Sequence, residues 1–154
     1  MSIDNKWSQF LNENNESTAG IIVCLRNDKK FLIIRRSNID DRAGQWTVPG
    51  GHIEESDSSI EAGAVRELEE ETDLLCNTEN LVYLGEPKPK KFYFLTQEWS
   101  GTVNIHKKNP VTKKQEHDKY AWATIDDIKR IANSQIPIYL LEKALKLAGF
   151  DTDE

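Results

Sequence analysis

A chain of 154 residues with 38% hydrophobic and 30% charged side chains has the make-up of one globular domain, able to bury roughly 70% of its unfolded surface. A formal charge of −6 argues against a protein that grips extended nucleic acid by neutralising phosphates. No apolar run approaches the roughly 20 residues that cross a bilayer and Met1 to Glu16 has no apolar leader, so a cytoplasmic protein with no membrane partner is expected.

Residues 1–154 read as a single domain with an N-terminal helical extension over 1–16, where Asp4 to Asn12 sets Trp7, Phe10 and Leu11 on one side of a short helix. Ser17 to Leu25 is β-branched and apolar, Asn27-Asp28 supplies turn chemistry, and Phe31 to Arg36 resumes the apolar run, which predicts a hairpin. A polar loop over Ser37 to Gln45 leads to a short strand at Trp46-Thr47-Val48, stopped by Pro49-Gly50-Gly51 and continued at His52-Ile53-Glu54. Ile60, Ala64 and Leu68 then recur every four residues behind a Ser58 or Ser59 N-cap, predicting a helix from about Ser59 to Thr72. Leu81 to Leu84 and Lys91 to Trp99 read as strands, with Gly101 to His106 completing a second hairpin. Lys107 to Gln115 is a basic loop, Tyr120 to Ala123 a strand, Ile125 to Ala132 a helix, and Ile138 to Leu147 a C-terminal helix ended by Gly149. Interleaved strands and helices predict an α/β fold with a mixed β-sheet between helices. Cys24 and Cys76 lack a metal or redox spacing and read as reduced, buried thiols.

The chemistry concentrates in Arg66-Glu67-Leu68-Glu69-Glu70-Glu71. On a helix Glu67, Glu70 and Glu71 stand at i, i+3 and i+4 and share a face, where like charges repel unless a cation compensates. Oxygen ligands of this kind suit Mg²⁺ or Mn²⁺, which keep waters and bridge to phosphates. A solvated acidic face is the plain alternative. Against it stands the preceding Pro49-Gly50-Gly51 turn, which lets backbone approach a ligand closely.

Gly51 and the segment His52 to Leu74 resemble the Nudix box of the Nudix hydrolase superfamily: glycine, five residues, glutamate, seven residues, then Arg-Glu-U-x-Glu-Glu-x-Gly-U, with U aliphatic. Arg66, Glu67, Leu68, Glu70 and Glu71 match every fixed position of the second half up to the glycine, which is Asp73 here. The spacing from Gly51 to Arg66 is one residue longer than the pattern, and the first glutamate is replaced by Asp57 or Ser58 according to where the extra residue falls. Gly44 to Gly51 is similar to the family's Trp-x-x-Pro-Gly-Gly segment, and Glu116 to Trp122 to its late glutamate and Trp-containing strand.

The resemblance implies the Nudix-like α/β/α sandwich and metal-dependent hydrolysis of a nucleoside diphosphate linked to another moiety. Glu67, Glu70 and Glu71 are the expected ligands of Mg²⁺ or Mn²⁺, with the Gly50 carbonyl as a further ligand. Glu70 and Arg66 join the catalytic set, Arg66 by orienting Glu67 or Glu70 through bidentate hydrogen bonds, or more simply as a surface partner of Glu70. Glu116 is the candidate base or outer metal ligand, against a plain exposed loop glutamate, with Asp118 as its substitute. Arg35 and Arg36 close an apolar strand and are candidate phosphate contacts. Trp46, like Trp99 and Trp122, either stacks on a base or packs in the sheet. His52 is a candidate substrate contact, and zinc ligation by His52, His106 or His117 is disfavoured because no cysteine stands at zinc spacing. Lys88, Lys90, Lys91, Lys107, Lys108, Lys113 and Lys114 read as solvated loop charges.

The expected partner is a small nucleotide-derived substrate, with room for a homodimer. Pro89, fifteen residues after Leu74, is similar to a proline of ADP-ribose-cleaving members. Glu116 to Trp122 resembles dinucleoside polyphosphate hydrolases, and nucleotide sugars complete that group. Pro49-Gly50-Gly51-His52 resembles members acting on nucleoside triphosphates, including oxidised ones. A non-catalytic nucleotide-binding Nudix module is the alternative from another class, opposed by the intact glutamates; a structural acidic domain leaves the turn and helix unexplained.

Overall fold

A computed structural model describes residues 18–37, 43–106, 108 and 115–150; the expected helix over Asp4 to Asn12 lies outside them. The apolar run Ala19–Cys24 forms β1, buried at every position. Its side chains alternate: Ala19, Ile21 and Val23 enter one apolar cluster, Ile22 and Cys24 the other. A strand buried on both faces needs cover on both sides. The helix α1 (Ile60–Thr72) supplies one cover through Ala64 and Leu68. The other comes from α2 (Ile125–Lys129) and α3 (Ile138–Leu147), through Ile128, Leu140, Leu141, Ala144 and Leu145. The result is the expected α/β/α sandwich.

The remaining strands are β2 (Phe31–Arg36), β3 (Trp46–Thr47), β4 (Gly50–His52), β5 (Val82–Lys88), β6 (Lys91–Thr96) and β7 (His117–Ala123). They form two sheets, a four-stranded mixed sheet in the order β4-β1-β6-β5 and a three-stranded antiparallel sheet β3-β2-β7. The expected β1–β2 hairpin is corrected: the two strands share one bridge, Leu25 with Phe31, and then part. Both edges of β1 are taken, by β4 antiparallel and β6 parallel, so β2 pairs elsewhere.

The strand at Trp46-Thr47 does end before Pro49, but Gly50 and Gly51 are no turn: they begin β4, pairing with Ile21 and Gly20 of β1. A Cβ on Gly50 would lie 2.7 Å from the Gly20 carbonyl oxygen, so the pairing needs glycine there. Gly101 to His106 is not a strand; β5 and β6 make the second hairpin. Asn104 instead donates its backbone N–H to the Thr72 carbonyl at 2.8 Å, drawing this segment across the end of α1.

Candidate active site

The helix α1 is started by Ser59, extended at φ −165°, whose Oγ accepts from the Ala62 N–H at 3.0 Å. With Ala64 and Leu68 of α1 packed into the core, Glu67, Glu70 and Glu71 line the wall of a cavity of about 670 Å³, which Gly50, Gly51 and His52 of β4 also line. Glu71 Oε1 accepts from the Gly50 N–H at 2.9 Å, tying the helix to the glycine strand. Gly51 is packed on Glu67 so closely that a Cβ there would stand 2.5 Å from the carboxyl carbon.

Arg66 organises the face. Its Nε and Nη2 donate to the two oxygens of Asp57 at 2.9 and 3.0 Å, and Nη2 also to the His52 carbonyl at 3.1 Å. Its Nη1 donates to Glu70 Oε2 at 3.1 Å, with Glu67 and Glu54 oxygens at 3.4 and 3.7 Å. The bidentate partner is thus Asp57, not Glu67 or Glu70. Asp57 is buried and also accepts from the Glu54 N–H at 2.8 Å, so Asp57 rather than Ser58 engages the helix and the extra residue falls beyond it, where Ser59 makes the cap.

Burial pushes the Glu67 carboxyl up to about 7; Arg66 pulls it down, while Glu70, Glu54 and Glu116 push it further up. Burial of its carboxyl also raises Glu71, aided by Glu67 and opposed by the Gly50 N–H. The Asp57 hydrogen bonds hold the Arg66 guanidinium protonated. Among the described residues no three His, Cys, Asp or Glu groups stand gathered as a metal cage. The donor set nonetheless fits a hard divalent cation: it offers oxygen donors only, and the burial that disfavours charge on Glu67 and Glu71 is a penalty that a cation would remove.

Glu116, half-buried, reaches the same cavity from the segment before β7, as do Arg36 of β2 and His117. Arg35 and Trp46 do not line it. Arg35 donates from Nε and Nη2 to Asp118 at 2.9 Å each. Trp46 packs against the larger apolar cluster, and its backbone N–H donates to the Asn133 carbonyl at 2.9 Å. Trp99 and Trp122 stack on each other, centroids 5.7 Å apart, with Arg26 over Trp122.

Several lining residues escaped the sequence reading. Lys88 and Lys91 line the cavity with Tyr93, Gln135 and Pro137. The lysines are register partners at the β5–β6 turn, which sets two positive charges side by side on the cavity wall. That pattern was visible as Lys-Pro-Lys-Lys, but not its proximity to α1. Lys108 also lines the cavity, while Lys107, Lys113 and Lys114 lie outside the described residues.

Residues 15–142 match the NUDIX domain. The chain belongs to the Nudix family. Hydrolases of that family act on pyrophosphate bonds and generally use divalent metal ions. A bis(5'-nucleosyl)-tetraphosphatase [asymmetrical] of Rattus norvegicus is 29% identical over 112 residues, covering 67% of this chain and 69% of that protein. In fold, this Nudix chain is similar to a NUDIX hydrolase from Nitrosomonas europaea, with TM-score 0.63 and 20% identity over 88% of this chain and 93% of that one. It is also similar to an Ap4A hydrolase of C. elegans, with TM-score 0.58 and 24% identity over 86% of this chain and all (100%) of the other. No helix among the described residues is long and apolar enough to cross a membrane.

Proposed function

We propose that this Nudix protein is a Mg²⁺- or Mn²⁺-dependent pyrophosphohydrolase that cleaves a dinucleoside polyphosphate by attack of water on phosphorus. The observation that carries the reading is one cavity lined by Glu54, Glu67, Glu70, Glu71 and Glu116 and also by Lys88 and Lys91, which stand on the far side of β1 from β4. His52 and Lys91 flank Ala19 in the sheet, two strand spacings or about 10 Å apart, so one wall spans several phosphates. The name of the rat relative supports the same substrate class.

Glu67, Glu70 and Glu71, with the Gly50 carbonyl and Glu116, would hold the cation, which supplies neutralisation of the diphosphate and a more acidic water. Arg66, braced by Asp57, keeps Glu67 and Glu70 on the cavity side. Glu116 accepts the proton of the attacking water, and Glu70 shares in positioning it. Arg36, Lys88 and Lys91 bind the phosphates beyond the cleaved bond, and His52 contacts the substrate at the β4 end.

The test is turnover of diadenosine tetraphosphate, ADP-ribose, a nucleotide sugar and ordinary and oxidised nucleoside triphosphates, each with Mg²⁺ and Mn²⁺, with products identified. Diadenosine tetraphosphate is expected to give ATP and AMP and to show the highest kcat/KM. Faster cleavage of ADP-ribose, a nucleotide sugar or a triphosphate overturns the substrate class, and tight nucleotide binding without turnover makes the protein a binding module. Glu70→Gln and Glu71→Gln should each lower kcat sharply, because an anionic ligand is lost while shape is kept.

A further inference from the structure

The strands β2 and β7 run antiparallel in constant register from Phe31 opposite Ala123 to Arg35 opposite Lys119. Strict alternation would next set Arg36 opposite Asp118. Arg36 instead stands opposite His117, and Asp118 is the surplus residue of a bulge. Because side chains alternate between faces, one surplus residue exchanges the faces of the residues before it. His117, which lines the cavity with Arg36, therefore occupies the position that Asp118 would take in an unbulged strand. Asp118 is turned to a neighbouring groove with Lys119 and Tyr120.

Both oxygens of that surplus residue are engaged. The Arg35 fork donates Nε to Oδ1 and Nη2 to Oδ2, each at 2.9 Å, with the side chains only 29% and 33% exposed. Just upstream, the Ser37 N–H donates to the Glu116 carbonyl at 2.8 Å and Ser37 Oγ to the Gln115 carbonyl at 2.6 Å. Gln115 Nε2 donates to the His117 carbonyl at 2.6 Å. The upstream bonds hold residues 115–117 against β2, and the fork holds the extra residue out of the ladder.

We infer that Arg35 and Asp118 are a positioning pair: their fork fastens the β7 bulge that turns Glu116 and His117 into the catalytic cavity beside Arg36. The inference rests on the proposed role of Glu116 for its effect on turnover, but not for its structural half. Without the fork the bulge can anneal to Arg36 opposite residue 118, which carries Glu116 and His117 to new positions.

The test uses the full chain, with NMR cross-strand contacts to read the register and steady-state kinetics on diadenosine tetraphosphate to read its consequence. In Asp118→Ala and in Arg35→Ala the Arg36–His117 contact should give way to Arg36–residue 118. The double exchange Arg35→Asp with Asp118→Arg should restore it, which also controls for variants that merely fold poorly. In the single variants kcat should fall about tenfold or more, while KM changes by less than about threefold. In a Glu116→Gln background, Asp118→Ala should cost less than about twofold further, because it acts through a group already removed. An intact Arg36–His117 contact in both single variants overturns the inference, and so does a shifted register with undiminished kcat. Full activity of Glu116→Gln alone would instead remove Glu116 from catalysis while leaving the register result to decide the pair.

Discussion

At the scale of single residues, the site depends on contacts that tolerate no extra atom. Gly51 lies under the Glu67 carboxylate, and the clash that a Cβ would make is with the free end of a flexible side chain. The fold can therefore absorb alanine by swinging Glu67 away, but the site cannot. Gly51→Ala is expected to melt within a few degrees of the wild type while its half-saturating Mn²⁺ concentration rises about tenfold or more, as measured by titrating activity with the metal. Unchanged metal dependence would separate Glu67 from the cation. Asp73 carries a different constraint. It ends α1 in the left-handed conformation at φ 67°, its N–H donating to the Glu69 carbonyl and its Oδ2 accepting from Asn104. The Nudix pattern has glycine at this position, and the backbone explains why. Asp73→Gly should stay close to wild-type stability, trading the Asn104 bond against relief of the left-handed conformation. Asp73→Val should lose about 1–2 kcal/mol in chemical denaturation, because a β-branched residue resists positive φ.

At the scale of elements, α1 was the most legible part of the chain because its order is local: Ile60, Ala64 and Leu68 repeat at helical spacing and Ser59 caps the start. Ser59→Ala should cost about 1 kcal/mol, a fall of roughly 2–4 °C in Tm by thermal melting, and leave kcat unchanged. The Asp57–Arg66 fork keeps Glu67 and Glu70 in place without the cap. The strand pairings were less legible for the opposite reason. Asn27-Asp28 is a sound local turn signal, yet β1 takes its partners from residues 50–52 and 91–96, and no local period reports a parallel pairing across that distance. The same limit divides the site. Glu67, Glu70, Glu71 and Arg66 come from one helical segment and could be read together. Lys88 and Lys91 reach the cavity through sheet order and Gln135 through the segment that bonds to Trp46, and the fate of Arg35 was settled by a bulge whose only sign in the sequence was an aspartate after Glu116-His117.

At the scale of the whole molecule, the clustered acids make stability and cation binding depend on pH in opposite directions. The ordinary value for glutamate is 4.5, and in the folded chain Glu67 is pushed up to about 7, chiefly by burial, with Glu71 displaced the same way. Between those values the folded state keeps a proton that the unfolded chain has released, so the cation-free protein loses stability as pH rises through this interval and, for Glu67, levels off above it. Asp118 works the other way: its hydrogen bonds from Arg35 hold it below the usual carboxylate range, so that contribution is present at neutral pH and is lost only in acid. Chemical denaturation without metal should therefore show stability falling from about pH 5 to about pH 7, and Glu67→Gln should flatten that slope. A divalent cation competes with the proton for the same oxygens, so its stabilising effect should grow as they ionise. The increase in Tm on adding Mn²⁺ is expected to be larger at about pH 8 than at about pH 6, and calorimetric titration near pH 6 in buffers of different ionisation enthalpy should register proton release on binding. Equal shifts at both pH values, with no proton released, would mean that the cation binds away from Glu67 and Glu71. The upward displacement of those two carboxyls would then be a property of packing alone.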